Sequence, residues 1–281
     1  MSQSFAISGY ATIDYSVQAP RALHGPGTYP VVALANEHWA KPGGAAFYAS
    51  ARMAAGGHQA HPIVMLGEDS NAQLYLDACD SAHVSTSGIH RTDRIRTPWC
   101  FLMYHDDGSH TCLLDAGSVM TAPLNQRQLE IVARADRVCI AAGSVAATEQ
   151  ILAAIDGSTQ LAWIAKQDEL CFPDALAARL AQRADLVFCN RSERALVDGA
   201  RAPGHRKNQT IIETRGAQGV LIESNGTQSE LSSEPLTVND TTGAGDTLAG
   251  EVMASLLSGC SIEVAVRRGM DAARALLSSR V

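Results

Sequence analysis

The sequence predicts a three-layer α/β/α protein built on a mostly parallel sheet, with a small extra group of strands beside it. Three observations carry that prediction. Short apolar runs alternate with longer segments of helical spacing over most of the 281 residues, as happens when helices connect parallel strands and cover both faces of their sheet. Several of the runs (RVCIAAG, LAWIAK, DLVFCN) are apolar nearly throughout, which suits strands buried on both sides. Two stretches, at about 15–40 and 89–117, break the rhythm with strand-rich, helix-poor sequence.

Taken in order, FAISGYATID reads as the first strand, running to Asp14. The first insert follows, with Pro20, Gly25, Pro26, Gly27 and Pro30 ahead of VVALANEHWA. Helices are expected at Ala45–Ala55 and Asn71–Ala82. The second insert, TPWCFLMYHDDGSHTCLLDAG, reads as two strands joined by a tight turn at Asp106-Asp107-Gly108, since Asp-Gly supplies the positive φ such turns require. The inserts either pair with each other as a separate small sheet or serve as edge strands of the main one. Further helices are expected at Asn125–Ala135, Val145–Ile155 and Asp174–Ala184, interleaved with RVCIAAG, LAWIAK and DLVFCN. TIIETRG and GVLIES then read as strands, followed by long helices at Asp246–Leu257 and Ile262–Leu277. No internal repeat or low-complexity tract divides residues 1–281, which read as one domain.

A net charge of −7 gives no reason to expect nucleic acid or an anionic membrane as partner. Seven cysteines, widely spaced, lack any C-x-x-C pair, and most sit in apolar runs where a reduced thiol packs as a small hydrophobe. The N-terminus carries no signal-peptide pattern, and no apolar run approaches the roughly 20 residues of a membrane helix. The expectation is a cytoplasmic, reduced protein whose positive potential must be local, because lysine occurs only at 41, 166 and 207.

One segment is richer in chemistry than the rest. After Asp246, apolar residues Leu248, Val252, Met253, Leu256 and Leu257 recur at helical spacing, so a helix is expected to begin near Gly245 or Asp246. Gly243-Ala244-Gly245 then lies at a helix N-terminus, where unpaired N–H groups and the peptide dipoles favour an anion. Glycine lets those N–H groups converge and admits a phosphate close to the backbone. Asp246 at the mouth of such a pocket suits a base that takes a hydroxyl proton during phosphoryl transfer. A plainer alternative makes Asp246 a helix cap and the glycines a turn. There is no G-x-x-x-x-G-K-[ST] loop, and Leu248 stands where a dinucleotide fingerprint needs glycine.

Asp240-Thr-Thr-Gly-Ala-Gly-Asp246 resembles the D-T-x-G-A-G-D signature of the ribokinase (PfkB-type carbohydrate kinase) family, and further similarities follow in order. Gly9-Tyr-Ala-Thr-Ile-Asp14 resembles the family's first strand and its acceptor-binding aspartate. Pro42-Gly43-Gly44 with the alanine-rich helix after it resembles the N-terminal signature. Asn190-Arg-Ser-Glu193 resembles the N-x-x-E element, and Thr214-Arg-Gly216-Ala-Gln-Gly219 the turn under the nucleotide. Taken alone, Asp14 is equally a turn residue, and Asn190 with Glu193 a capping-box variant.

The resemblance implies an ATP- and magnesium-dependent kinase acting on an alcohol group of a sugar or polyol, with Asp246 as general base and Gly243, Ala244 and Gly245 stabilising the transferring group. It implies magnesium (Mg2+) held through water by Asn190 and Glu193, nucleotide contacts from Thr214, Gly216, Gly219 and Asp271, and acceptor contacts from Asp14, Gly43, Gly44 and Tyr48. It makes the inserts a lid, through which some relatives dimerise, and places a monovalent cation (K+) near Asp240 and Thr242. Arg96, at the start of a lid strand, is either an acceptor contact or a solvated arginine.

Three positions depart from the family pattern: Tyr48 stands where an asparagine commonly bonds sugar hydroxyls, Asp271 where an asparagine lies near the adenine, and Leu248 where a phenylalanine is common, a packing change. Tyr48 leaves room for a nucleoside kinase of the same family, in which it stacks on a base. A sugar-sensing module without catalysis is the reading from another class, and the intact Asp246 loop argues against it.

Overall fold

The computed structural model describes residues 4–18, 28, 29, 31, 33, 34, 39–105, 110–200, 208–238 and 240–280. In chain order these form β1 (Ser4–Ser8), β2 (Thr12–Gln18), β3 (Ala33–Leu34), β4 (Ala40–Gly43), α1 (Ala45–Ala55), β5 (Gln59–Leu66), α2 (Ser70–Ser81) and β6 (Ile89–Arg91). Then come β7 (Trp99–Tyr104), β8 (His110–Asp115), α3 (Gln126–Arg134), β9 (Arg137–Ile140), α4 (Val145–Ala154), β10 (Gln160–Ile164), α5 (Asp174–Arg183) and β11 (Leu186–Asn190). The remainder is α6 (Arg194–Ala200), β12 (Thr210–Thr214), β13 (Val220–Ser224), β14 (Thr227–Leu231), α7 (Ala244–Leu257) and α8 (Ile262–Ser278).

The main sheet has nine strands in the order β14-β13-β12-β11-β10-β9-β1-β5-β6. Pairings from β6 to β12 are parallel, while β13 and β14 add antiparallel strands at one edge. Side-chain alternation sets the layers. Phe5 and Ile7 of β1 join one core with α1, α2, α7 and α8, through residues such as Met53, Tyr75, Val252 and Val266. Ala6 joins the other core, where Val132, Ile151, Leu180 and Val197 of α3 to α6 pack around Trp163. The three-layer expectation is met.

Helix starts follow local chemistry. Asp69, Ser144 and Ser261 each accept from the N–H three residues on, and Asn125 with Gln128 forms a full capping box. Two elements escape the sequence pattern. The seven-residue α6 is too short to show a helical period, and β14 is polar up to its last residue, Leu231, with no buried residue.

A separate sheet is built from β2, β3, β4, β7 and β8. β7 runs parallel to one edge of β2, β3 and β4 share its other edge, and β8 is antiparallel to β7. The two inserts thus pair with each other, apart from β6, which lengthens the main sheet. The turn expected at Asp106-Asp107-Gly108 lies outside the described residues.

One expectation is corrected. FAISGYATID is two strands in two sheets. At the junction the N–H of Tyr10 donates to the carbonyl of Ala142 at 2.7 Å, and a β-carbon on Gly9 would lie 3.3 Å from Ala141 Cβ. The chain is pinned against the end of β9 there and redirected. Asp14 therefore lies inside β2, in register with Lys41 and Cys100, and does not end the first strand.

Candidate active site

In a parallel sheet, ligands collect beyond the carboxyl ends of the strands. Here those ends present Asn190 on β11, Thr214 on β12 and, just beyond β10, Lys166. Helix α7 starts nearby with Gly243 as its N-cap, at φ +75°, Ala244 and Gly245 as the first two helical residues, and Asp246 as the third. Asp246 is thus not the N-cap, and the cap position carries no side chain. The N–H groups of this first turn lie before the intrahelical ladder begins; that of Ala244 donates to the carbonyl of Thr241 at 3.3 Å.

Asp246 is half-buried. Desolvation pushes its carboxyl up to about 6, helped by Glu193 and Asp14 and opposed by the Lys166 ammonium. A carboxylate of that basicity takes a proton from a hydroxyl more readily than an exposed aspartate does.

On one side of the α7 N-terminus a cleft of about 540 Å³ opens between β12, β13 and α8. Thr214, Gly216, Gly219, Ala244, Gly245 and Asp271 all line it, so residues up to 57 positions apart meet at one cavity. Leu236, Val238, Leu248, Met270, Ala273 and Leu277 give it an apolar wall suited to a flat ring. Gly219 is required by the backbone, since its φ is +94° and a β-carbon would overlap the carbonyl of Leu231.

Asp14 does not line this cleft; it is buried at 3% exposure and acts electrostatically on Asp246. It accepts from Thr12 Oγ1 at 2.7 Å and from Cys100 Sγ at 2.9 Å. Burial raises its pKa, against the lowering effect of Cys100, Thr12 and Lys41. A β-carbon on Gly43 would overlap this carboxylate, and one on Gly44, at φ +87°, would overlap the carbonyl of Tyr10. Gly43 is what lets β4 approach Asp14 so closely, and Gly44 lets the start of α1 close on the backbone at Tyr10. Tyr48, on α1, is buried against Gly243.

Asn190 and Glu193 close on each other. The N–H of Asn190 donates to Glu193 Oε2 at 2.9 Å, and the N–H of Glu193 to Asn190 Oδ1 at 3.0 Å. This is the capping arrangement read as an alternative above. It leaves Glu193 Oε1 facing Lys166 Nζ at 3.7 Å. Burial raises the Glu193 pKa, while the Asn190 N–H and Lys166 lower it.

Arg96 is not drawn into this arrangement: its exposed guanidinium pairs with Asp115 at 3.0 Å. Residues outside the motifs read as the site do enter it. Lys41 and Tyr104 both bond Asp240, Arg280 bonds the loop after Asp240, and Cys100 bonds Asp14. The one sequence signal for Lys41 among them was the scarcity of lysine, a signal that Lys166 beside Glu193 shares.

A cleft at the N-terminus of a glycine-capped helix that carries a basic carboxylate, with a buried aspartate held near that carboxylate, fits a small-molecule kinase. The profile described as "pfkB family carbohydrate kinase" matches residues 3–280. A ribokinase of Staphylococcus aureus (strain COL) is 24% identical over 209 residues, covering 69% of this chain and 67% of that protein. The structure of an Arabidopsis thaliana ribokinase complexed with ribose and ATP superposes with a TM-score of 0.76 at 20% identity, covering 97% and 92% of the two chains. A Burkholderia thailandensis nucleoside kinase in complex with inosine gives a TM-score of 0.79 at 17% identity, covering 96% and 89%. The chain belongs to the pfkB family of ATP-dependent carbohydrate kinases.

Proposed function

We propose that this kinase transfers the γ-phosphoryl group of ATP to an alcohol group of a sugar or polyol, with Asp246 as general base. The observation that carries the reading is the position of Asp246 in the first turn of α7, next in sequence to cleft-lining Gly245 and within electrostatic reach of Asp14, with its pKa raised to about 6. The cleft takes the nucleotide through Thr214, Gly216, Gly219 and Asp271. The acceptor lies on Asp14, Gly43 and Gly44, with Tyr48 as the wall between it and the anion loop. Negative charge that builds on the transferring oxygens meets the N–H groups of Gly243, Ala244 and Gly245.

Oxygen donors alone, one of them a carboxylate atom with only a long ion pair, suit a magnesium ion that keeps most of its water. Asn190 and Glu193 are the residues that would hold it through water, and it would supply charge neutralisation between the phosphates. Lys166 is close enough to lower the pKa of both Glu193 and Asp246, so it holds positive charge at the same place.

The nucleoside reading drew on Tyr48 as a base-stacking ring. Its ring is packed on Gly243 and 7% exposed, which favours the sugar or polyol. Trp39 and Trp99 pack with Tyr15 and Phe101, at ring separations of 5.5 to 6.2 Å, on the face of the small sheet opposite Asp14. Exposed Trp39 and Leu113 on that sheet support a homodimer through the lid. Among the described residues no helix is long and apolar enough to cross a membrane.

The test is ADP production from ATP and magnesium against a panel of sugars, polyols and nucleosides, with Asp246→Asn alongside. Turnover with one acceptor, lost in the variant, supports the reading. A variant with near-full activity removes Asp246 from the mechanism.

A further inference from the structure

The family resemblance implies a monovalent cation near Asp240 and Thr242. The oxygens it would need are already engaged by the protein. Arg280 Nη1 donates to the carbonyl of Thr242 at 2.7 Å and to that of Asp240 at 3.2 Å, and stands 3.5 Å from Asp240 Oδ1. Oδ1 also accepts from Tyr104 at 2.8 Å and from the N–H of Thr242 at 3.0 Å, while Oδ2 is paired with Lys41. The Arg280 side chain is 10% exposed and Asp240 is fully shielded. Burial acts to raise the Asp240 pKa, and the Lys41 and Thr242 contacts reverse that, holding the carboxylate ionised. An alkali cation placed here would meet two fixed positive side chains, Lys41 and Arg280, in a site with little water to screen them. The residues present do not fit it.

We infer that Arg280 is a built-in substitute for the monovalent cation: its guanidinium orders the anion loop, and phosphoryl transfer by this chain needs no potassium. The inference rests on the kinase reading above.

The physical reason lies in the planar peptide. The carbonyl of Thr242 and the N–H of Gly243 belong to one rigid unit and point in opposite directions. Tying the carbonyl to Arg280 therefore aims the Gly243 N–H away from the arginine. The carbonyl of Asp240 and the N–H of Thr241 are coupled in the same way. Arg280 is itself held, because its N–H closes the end of α8 on the carbonyl of Leu277 at 3.1 Å. Its Nη2 reaches Tyr48 Oη at 3.4 Å, linking the loop to α1. Arg280 is a positioning residue, remote in sequence from the loop it orders.

The experiment compares three cations, potassium, sodium and choline, as the sole monovalent species at constant ionic strength. Initial rate, ATP affinity by calorimetry and melting temperature are measured for the wild type, Arg280→Ala and Arg280→Lys. The wild type should show rates within about twofold across the three salts and no potassium-specific shift in melting or ATP affinity, which is under a tenfold barrier effect. Arg280→Ala should lose about tenfold or more in rate and recover part of it with potassium but not choline. Arg280→Lys, which keeps the charge and loses the fork, should fall between. Potassium stimulating the wild type tenfold over choline, or raising its melting temperature specifically, overturns the inference. So does an Arg280→Ala protein that is folded, slow and indifferent to potassium. Absence of turnover with every acceptor counts against the kinase reading, and the melting and ATP-binding comparisons still decide the cation question.

Discussion

The ring of Tyr48 rests on the α-carbon of Gly243, so closely that a β-carbon at position 243 would lie 2.6 Å from it. This contact joins α1, which borders the acceptor pocket, to the N-cap of the helix that carries Asp246. It is also doubly demanding, because Gly243 has φ +75°.

Gly243→Ala should therefore fold and catalyse poorly. Strain at the positive φ costs about 1–3 kcal/mol, and displacement of the loop should lower kcat by about a hundredfold. Steady-state kinetics with thermal melting separates the two effects. Near-wild-type kcat would mean that the loop geometry does not matter to the chemistry.

The Asp246 carboxyl should set an acid limb in the pH profile. Below about 6 it is protonated in the free enzyme and has no capacity to take a proton. kcat/KM should fall about tenfold for each pH unit below that value and level off above it. A profile flat from pH 7 down to the ordinary carboxylate range would assign the base elsewhere.

The same shift has a stability consequence of definite sign. Burial raises the pKa from 3.8 to about 6, so the folded chain binds the proton more tightly than the unfolded chain. The stability this group contributes is present below 3.8 and is lost as pH rises through about 6. Asp246→Asn, permanently neutral, should melt higher than the wild type at pH 7, by about 1 kcal/mol or more. The gap should close toward pH 4. A variant that is less stable at neutral pH contradicts a desolvated carboxylate.

Gly43→Ala should act on the acceptor alone. Its β-carbon overlaps the Asp14 carboxylate, which Thr12 and Cys100 hold in place. The acceptor KM should rise about tenfold or more, the scale of a lost charged hydrogen bond, while ATP affinity by calorimetry stays unchanged. A matching loss of ATP affinity would show that the defect is general.

Much of this was legible in the sequence because it is local. Residues 45–55 carry their helical period and a glycine pair at their start, and Ala45–Ala55 is the helix observed. Asp240 to Asp246 places cap, anion loop and carboxylate within seven residues. Thr214, Gly216 and Gly219 were read as one turn, and they line one cleft.

Only the tertiary structure decided which sheet a strand joins and which charges meet. FAISGYATID is apolar on both sides of Gly9, so periodicity does not reveal the break. Ala142, more than 130 residues away, supplies the contact that makes it. Lys41, Tyr104 and Arg280 converge on the Asp240 loop from β4, β7 and the end of α8. Each alone is an ordinary polar residue in sequence. A short-range pattern reports the backbone that a segment prefers, whereas the energy of a buried ion pair depends on the closing of the whole fold.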